Sequence, residues 1–512
     1  MKIIEFNADV YKRLQNKEIC LVEKSISYLE ELCDTYDILP NIVAIADENK
    51  RKCGTFLYRD CELVTYPLAY LKTLDFEKTV VVITSDYYKE YIHKIEILMQ
   101  GKPCIEEIYV FHNYETRVEI QYRKRYEKEK LQNIIVFRSG PHSSEYVKGM
   151  DFSDNARALF EYMLSIEMNK KYELVWMVKE PEEFRNYAKY QNISFLSYEG
   201  SVSDSPVVRD SYYRALCLAK YIFFTDAYGF ARNCREDQIR VQLWHGCGYK
   251  TRLNHTPCER RYEYMTVTSE LYADIHAAIF GLRREQMLIT GCAKADWLFQ
   301  KDRDKLESLC IPKGDKYIFW LPTYRFSGKD KDKPQDGVLN KETGLPLIST
   351  TEDLVWLNRK MAVHNTVLVI KLHPFQDKNA VHCGSLSNIV LLDNDMLVEQ
   401  DIQINQLLSM ADALISDYSS AAVDYVLLDK PIGFIVDDME DYAHSRGFIF
   451  DDILKWLPGK CIFDKNDLGD FIEQIICNED RERGKRKKLR MLLHKNLDGK
   501  SCQRIVEELG IV

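Results

Sequence analysis

The sequence has no run of about 18 apolar residues, the length a helix needs to cross a bilayer. Its 15 cysteines form no C-x-x-C pair and no cysteine–histidine zinc spacing. Neither a metal finger nor a disulfide framework is indicated, and reduced, mostly buried thiols in a cytoplasmic protein are expected. Acidic residues within M-K-I-I-E-F-N-A-D-V argue against a secretory leader. The patterns H-E-x-x-H, G-x-S-x-G and G-x-x-x-x-G-K-[ST] are all missing, which counts against zinc-protease, serine-elbow hydrolase and P-loop readings. Basic excess is missing too. The net charge of −9 gives no global attraction to nucleic acid.

What is present is a chain of 512 residues, too long for one ordinary core. Three blocks follow, with boundaries expected at 1–130, 131–310 and 311–512. The first contains N-I-V-A-I-A-D (Asn41–Asp47) and T-V-V-V-I-T-S-D (Thr79–Asp86), apolar runs ending in polar turns, as buried parallel strands do. Helical patterns such as Tyr87–Met99 lie between and after them, so a small Rossmann-like domain is expected. The run Glu18–Leu29 stands where its first strand and turn belong. It holds no glycine, so backbone cannot approach a pyrophosphate in the usual way, and a structural or partner-binding role is expected.

In the second block, N-I-I-V-F-R-S-G, Y-E-L-V-W-M-V, A-K-Y-I-F-F-T-D, I-R-V-Q-L-W-H-G and T-V-T-S alternate with helices such as Asn155–Glu167. The third repeats the scheme with Y-I-F-W-L-P-T-Y-R, T-V-L-V-I-K-L-H-P, N-I-V-L-L-D, A-L-I-S-D-Y-S-S and P-I-G-F-I-V-D-D. Two doubly wound sheets in tandem make a cleft between the carboxyl ends of their strands, where open α/β proteins bind ligands.

Polar residues gather at those strand ends. His245, in V-Q-L-W-H-G-C-G-Y-K-T-R, suits packing, metal ligation or a base beside an anionic substrate. Ser419 and Ser420 open a helix and suit either a phosphate or simple capping by Asp417 or Ser419. Asp424, on that helix, either supports the loop or solvates the helix. Lys371 and His373 alternate along a strand end and point the same way, which suits a pyrophosphate; an exposed lysine beside a packed histidine is the plainer account. Arg325 offers a planar fork for a phosphoryl group or for a surface acid. Asp393-Asn394-Asp395 has D-x-D spacing but reads as an Asx turn, and neither metal nor cofactor is expected. The basic tail Arg481–Lys495 reads as a helix with Leu489, Leu492 and Leu493 on one side. Either a solvated face or contact with a membrane or anionic polymer fits it.

Taken in order, Trp244-His245-Gly246, Pro322-Thr323-Tyr324-Arg325, Leu372-His373-Pro374, Asp417-Tyr418-Ser419-Ser420, Asp424-Tyr425, Lys430-Pro431 and Arg446-Gly447-Phe448 resemble the CDP-glycerol glycerophosphotransferase family of teichoic acid and capsule polymerases. The resemblance runs from about Asn133 to Leu509, with secondary matches near Asp154-Asn155, Gly291 and Asp498–Ser501. It implies a GT-B-like pair of Rossmann-type domains, preceded here by the extra Rossmann-like domain. It further implies transfer of glycerol phosphate or ribitol phosphate from CDP-glycerol or CDP-ribitol to a hydroxyl of a polyol-phosphate or glycan acceptor, free or lipid-linked, releasing CMP. Carried over by motif, His245 is the general base, and His373 and Arg325 bind donor phosphates together with Lys371. Ser419 and Ser420 form the phosphate cradle, and Asp417, Asp424, Gly246 and Lys250 support the site. The expected location is the cytoplasm or the cytoplasmic face of the membrane.

The chain departs from the family pattern W-H-G-T-P-x-K at Cys247 and Gly248, so a more flexible loop is expected. Lys294 and Ala293 stand where a second family motif, G-x-P-R-x-D, has Arg and Pro. Two other readings use the same residues: a nucleotide-sugar glycosyltransferase of the same fold, and a non-catalytic scaffold.

Overall fold

The computed structural model describes residues 1–100, 105–140, 148–225, 234–251, 262–322, 343, 345–372 and 386–511. They form two compact units, Met1–Glu129 with Glu199–Cys217, and Lys130–Tyr198 with Leu218–Val512.

The first unit is built on one sheet whose strands are β1 (Lys2–Glu5), β2 (Glu18–Val22), β3 (Ile42–Asp47), β4 (Gly54–Tyr58), β5 (Cys61–Pro67), β6 (Thr79–Ile83) and β7 (Glu107–Val110). Their order is β1-β7-β6-β2-β3-β5-β4, parallel except for the β4–β5 hairpin. Apolar clusters cover both faces, one around Leu21, Ile45 and Phe111 and the other around Val22, Val81 and Ile95. Sequence pattern alone passed over β1, a short edge strand with mostly exposed residues, and the hairpin. The turn after β2 is closed by its own chain. Asp47 accepts from the backbone N–H of Lys24 at 2.8 Å and of Asn49 at 2.7 Å, and Lys52 lies 3.5 Å from it. That carboxylate ends the strand where dinucleotide folds keep a ribose-binding acid. The helix Pro206–Leu218 belongs to this unit up to Cys217, although it lies far along the chain.

The second unit holds two parallel sheets. One contains β8 (Gln132–Arg138), β9 (Glu173–Val178), β10 (Ile193–Ser197), β11 (Ala219–Phe224), β12 (Ile239–Gln242), β13 (Tyr264–Thr266) and β14 (Met287–Leu288), in the order β10-β9-β8-β11-β12-β13-β14. The other contains β15 (Lys316–Trp320), β16 (Thr366–Lys371), β17 (Ile389–Leu392), β18 (Ala413–Ser416), β19 (Ile432–Ile435) and β20 (Lys460–Ile462), in the order β17-β16-β15-β18-β19-β20. The central strands are buried along nearly their whole length, β16 and β18 entirely, which is why they read as continuous apolar runs rather than alternations. In each sheet the strand order reverses once, between β8 and β11 and between β15 and β18. Crevices at such reversals are where open α/β sheets take ligands.

The last helix, Ser501–Glu508, follows the β15–β20 sheet in sequence but packs into the core of the other. Cys502, Ile505 and Val506 lie against the cluster that holds Phe160 and Trp297. Its first turn is capped by Asp296, which accepts from the N–H groups of Ser501 and Cys502, each at 2.8 Å. A carboxylate there meets the positive end of the helix.

The basic helix Arg483–Leu493 differs from expectation in which residues it buries. Leu489 and Leu493, four apart, are buried, but Leu492 is exposed, because the inward stripe passes through Arg486 instead. Arg486 pairs with Asp429 at 3.1 Å and with Asp480 at 3.0 Å. Among the described residues the cysteines are free thiols; Cys61, Cys310 and Cys477 are exposed. No described helix is long and apolar enough to cross a membrane.

Candidate active site

β12 stops at Gln242, whose side chain accepts from the Trp244 N–H at 2.9 Å and turns the chain outward. Trp244 (φ 53°) and Gly246 (φ 119°) both have positive φ, so His245 sits between two left-handed residues. For tryptophan that conformation is costly and must be held by its surroundings. The holding group is Asn155, fully buried at the start of the helix Asp154–Ser165. Its amide donates to the Trp244 carbonyl at 2.8 Å and to Leu243 at 3.3 Å. The Trp244 ring stacks on the His245 imidazole with centroids 3.9 Å apart, and its other flank meets Phe280 edge-on at 4.8 Å. His245 itself is exposed. Behind this loop lies His276 on the helix Glu270–Phe280. Burial, with a smaller contribution from His245, pushes its pKa down to about 3, so it is a neutral packing group.

β18 ends at Ser416 and runs through buried Asp417 and Tyr418 to Ser419 and Ser420. Ser419 caps the short helix Ser420–Tyr425, accepting from the Ala421 N–H at 3.3 Å, as the capping alternative requires. Ser420 meets the histidine loop directly. A methyl group built on Gly246 would lie 3.2 Å from its Cβ and Oγ, and one on Gly248 would lie 3.4 Å from its Cβ. The two glycines therefore let the loop after β12 close onto the helix after β18. Sequence reasoning placed both strand ends in one cleft, and the structure puts them in contact.

Asp424 does not solvate its helix. It is fully buried and faces Lys294, Asp154 and Asn405, and burial raises its pKa to about 6 against the pull of Lys294. Lys371 is likewise buried rather than exposed, because its ammonium turns back to the Leu372 carbonyl at 2.5 Å. His373 and Arg325 lie outside the described residues. Lys250 is half-buried, 5.6 Å from the Tyr442 ring.

Lys250 also belongs to a short ribbon between the two sheets. It bridges to Phe448, the Ile449 N–H donates to Tyr249 at 2.9 Å, and the Thr251 N–H donates to Gly447 at 3.1 Å. Thr251 Oγ1 also donates to the Arg446 carbonyl at 2.7 Å. Gly447 (φ 78°) is needed there, since a Cβ would come 3.0 Å from Thr251 Oγ1. Phe448 then packs beside Tyr418 and Tyr442, with centroids 4.7 and 5.4 Å away. The motif Arg446-Gly447-Phe448 thus docks the loop that carries His245. Only its place in the motif order marked it in the sequence, and nothing there gave it this role.

Lys294, noticed in sequence only as a departure, reaches this loop too. Its ammonium donates to the His245 carbonyl at 2.8 Å and lies 3.0 Å from Asp154. The D-x-D spacing at Asp393 makes a helix cap, Asp393 accepting from the Met396 N–H at 2.9 Å. No group of three or more histidine, cysteine or acidic residues suited to a metal occurs among the described residues.

The family model for CDP-glycerol:poly(glycerophosphate) glycerophosphotransferase matches residues 120–510. The teichoic acid ribitol-phosphate polymerase TarK of Staphylococcus aureus is 29% identical over 338 residues, which cover 61% of this chain and 61% of that protein. The ribitol-phosphate polymerase TarL of the same organism is 24% identical over 544 residues, covering 97% of this chain and 86% of its own. The solved structure of the wall teichoic acid polymerase TagF superposes with a TM-score of 0.59 at 19% identity. It covers 83% of this chain and 97% of that one, a likeness of fold. The chain belongs to the CDP-glycerol:poly(glycerophosphate) glycerophosphotransferase family.

Proposed function

We propose that the protein transfers glycerol phosphate or ribitol phosphate from a CDP-activated donor to a hydroxyl of a polyol-phosphate polymer or glycan primer, releasing CMP. The observation that carries this reading is the contact between the two halves. An exposed imidazole stands on a loop whose next residue touches Ser420, at the strand-order reversal of the opposite sheet.

In this scheme the donor diphosphate lies against Ser420 and the N–H groups that open its helix, with Arg325 and His373 as its cationic partners. His245 takes the proton of the acceptor hydroxyl. The acceptor oxygen bonds to the phosphorus that carries the polyol, while the bond from that phosphorus to the CMP oxygen breaks and CMP leaves with the electron pair. Such a transfer needs positioning, charge stabilisation and a base that titrates near neutrality, which histidine supplies. The proposal includes peripheral contact with the membrane where a lipid-linked acceptor would be met. The exposed residues Lys487, Lys488, Met491 and Leu492 on one face of the helix Arg483–Leu493 support it.

The test is CMP release from CDP-glycerol and CDP-ribitol, with UDP-sugars in parallel. Wild-type protein is expected to release CMP, and His245→Ala to release it about 1000-fold more slowly while melting within about 0.5 kcal/mol of wild type, since the side chain is exposed. Turnover at the wild-type rate in His245→Ala removes the base. Release of UDP alone would favour a glycosyltransferase, and nucleotide binding without any turnover a scaffold.

A further inference from the structure

We infer that Lys294 is a positioning residue of this site: its ammonium holds the backbone carbonyl of His245 and ties that loop to Asp154 on the helix after β8. The inference rests on the reading of His245 as the base.

His245 is flanked by Trp244 at φ 53° and Gly246 at φ 119°, so the loop does not hold its shape by local preference and needs outside bonds. The structure supplies two adjacent ones. Asn155 takes the Trp244 carbonyl at 2.8 Å, and Lys294 takes the next carbonyl, that of His245, also at 2.8 Å. The two holders are themselves joined, because Asn155 Oδ1 accepts from the Lys294 N–H at 3.0 Å. The ammonium lies beside Gly246, 3.9 Å from where a Cβ built there would stand.

The lysine side chain is only 13% exposed, and a buried ammonium survives only when paired. Asp154 is its partner at 3.0 Å from the helix after β8. Asp424 faces it from the helix that carries Ser420. Burial works against the charge, but Asp154 and Asp424, with Cys292, outweigh it, so the pKa lies above the ordinary lysine value and the group stays cationic. One cation therefore has two anchors, the base loop and an acid of the same half, and feels the charge of a buried acid on the cradle helix of the other half. Its removal frees the His245 carbonyl and deprives half-buried Asp154 and buried Asp424 of their cation, without touching any atom of the imidazole.

Lys294→Met keeps the stem and deletes the charge. A displacement of about 1 Å at a reacting group costs about 100-fold in rate, so kcat for CMP release is expected to fall about 100-fold with the donor KM within about 2-fold. Lys294→Arg, which can still reach a carbonyl and a carboxylate, is expected to recover at least a tenth of wild-type kcat. Because the lysine acts through His245, Lys294→Met added to His245→Asn is expected to cost less than about 3-fold more, a failure of additivity that a general loss of folding does not produce. Deuterium uptake of the peptide spanning 243–251 should quicken in Lys294→Met and not in Lys294→Arg.

Unchanged kcat, a Lys294→Arg variant as impaired as Lys294→Met, or fully additive losses would overturn the role. Should Lys294→Met not fold, Lys294→Gln carries the same measurements. If wild-type protein turns over no CDP-polyol, the proposed function fails while deuterium uptake still decides the positioning role: equal uptake in Lys294→Met and wild type removes it.

Discussion

Gly246→Ala puts a single methyl group where the two halves of the cleft meet. The φ of 119° at this position lies in a region that L-residues rarely adopt, at a cost of about 1–3 kcal/mol. The new Cβ also meets Ser420 Cβ and Oγ at 3.2 Å, so either the loop or the helix start must give by a few tenths of an ångström. Crowding a packed contact in this way adds about 1 kcal/mol. Together the two effects predict a loss of about 2–4 kcal/mol in a urea denaturation series. A shifted loop also displaces His245, so the proposed CMP release should fall by about 100-fold. The two contributions can be separated. Ser420→Gly removes the atoms the methyl meets but leaves the φ cost, so the double variant should recover about 0.5–1 kcal/mol of the stability that the single variants lose when summed. Gly484→Ala is the control: it lies in the helix Arg483–Leu493 with nothing within 4 Å of its Cβ, and should gain about 0.5 kcal/mol. A Gly246→Ala protein that melts and turns over like wild type, or that shows no coupling to Ser420→Gly, refutes the contact.

Two further outcomes concern the interior. Arg486→Ala leaves Asp429 and Asp480 facing an emptied, fully buried position and should cost about 3–5 kcal/mol in urea unfolding; a loss below about 1 kcal/mol would mean those acids are otherwise satisfied. His276 titrates at about 3 in the folded chain against 6.5 when unperturbed, so the unfolded chain takes up its proton first as pH falls. Stability is therefore lost from pH 6.5 downward until about pH 3, and at pH 5 this residue accounts for about 2 kcal/mol. His276→Phe, set among the Tyr272 and Phe280 rings, should narrow the gap in unfolding free energy between pH 7.5 and pH 5 by that amount, and an unchanged gap would remove the assignment.

Much of this protein was legible in one dimension. Buried parallel strands announce themselves as apolar runs because both of their faces are covered, and Ile42–Asp47, Thr366–Lys371 and Ala413–Ser416 sit within the runs that the sequence marked. Strand-end polar residues were also visible, since a chain leaving a parallel sheet must turn into water. The exposed His245 and the Ser419 cap follow from that rule. Edge strand β1 escaped because half-exposed short strands carry no apolar run, and Leu492 was misplaced because Arg486 takes the inward stripe through two acids distant in sequence.

What no local pattern contains is which strand ends meet. Asn155 and Lys294 are 139 residues apart, and Thr251 and Arg446 are 195 apart. Their pairing is fixed by sheet order and by the way the two halves close on each other. The sequence by itself determined the elements, the doubly wound scheme and the kinds of group at each strand end, because periodicity and turn chemistry are local. Only the tertiary structure decided that Gly246 rests on Ser420, that Asp424 is buried, and that a lysine holds the backbone of the histidine. Each of these depends on contacts between segments far apart in the chain, which no local pattern encodes.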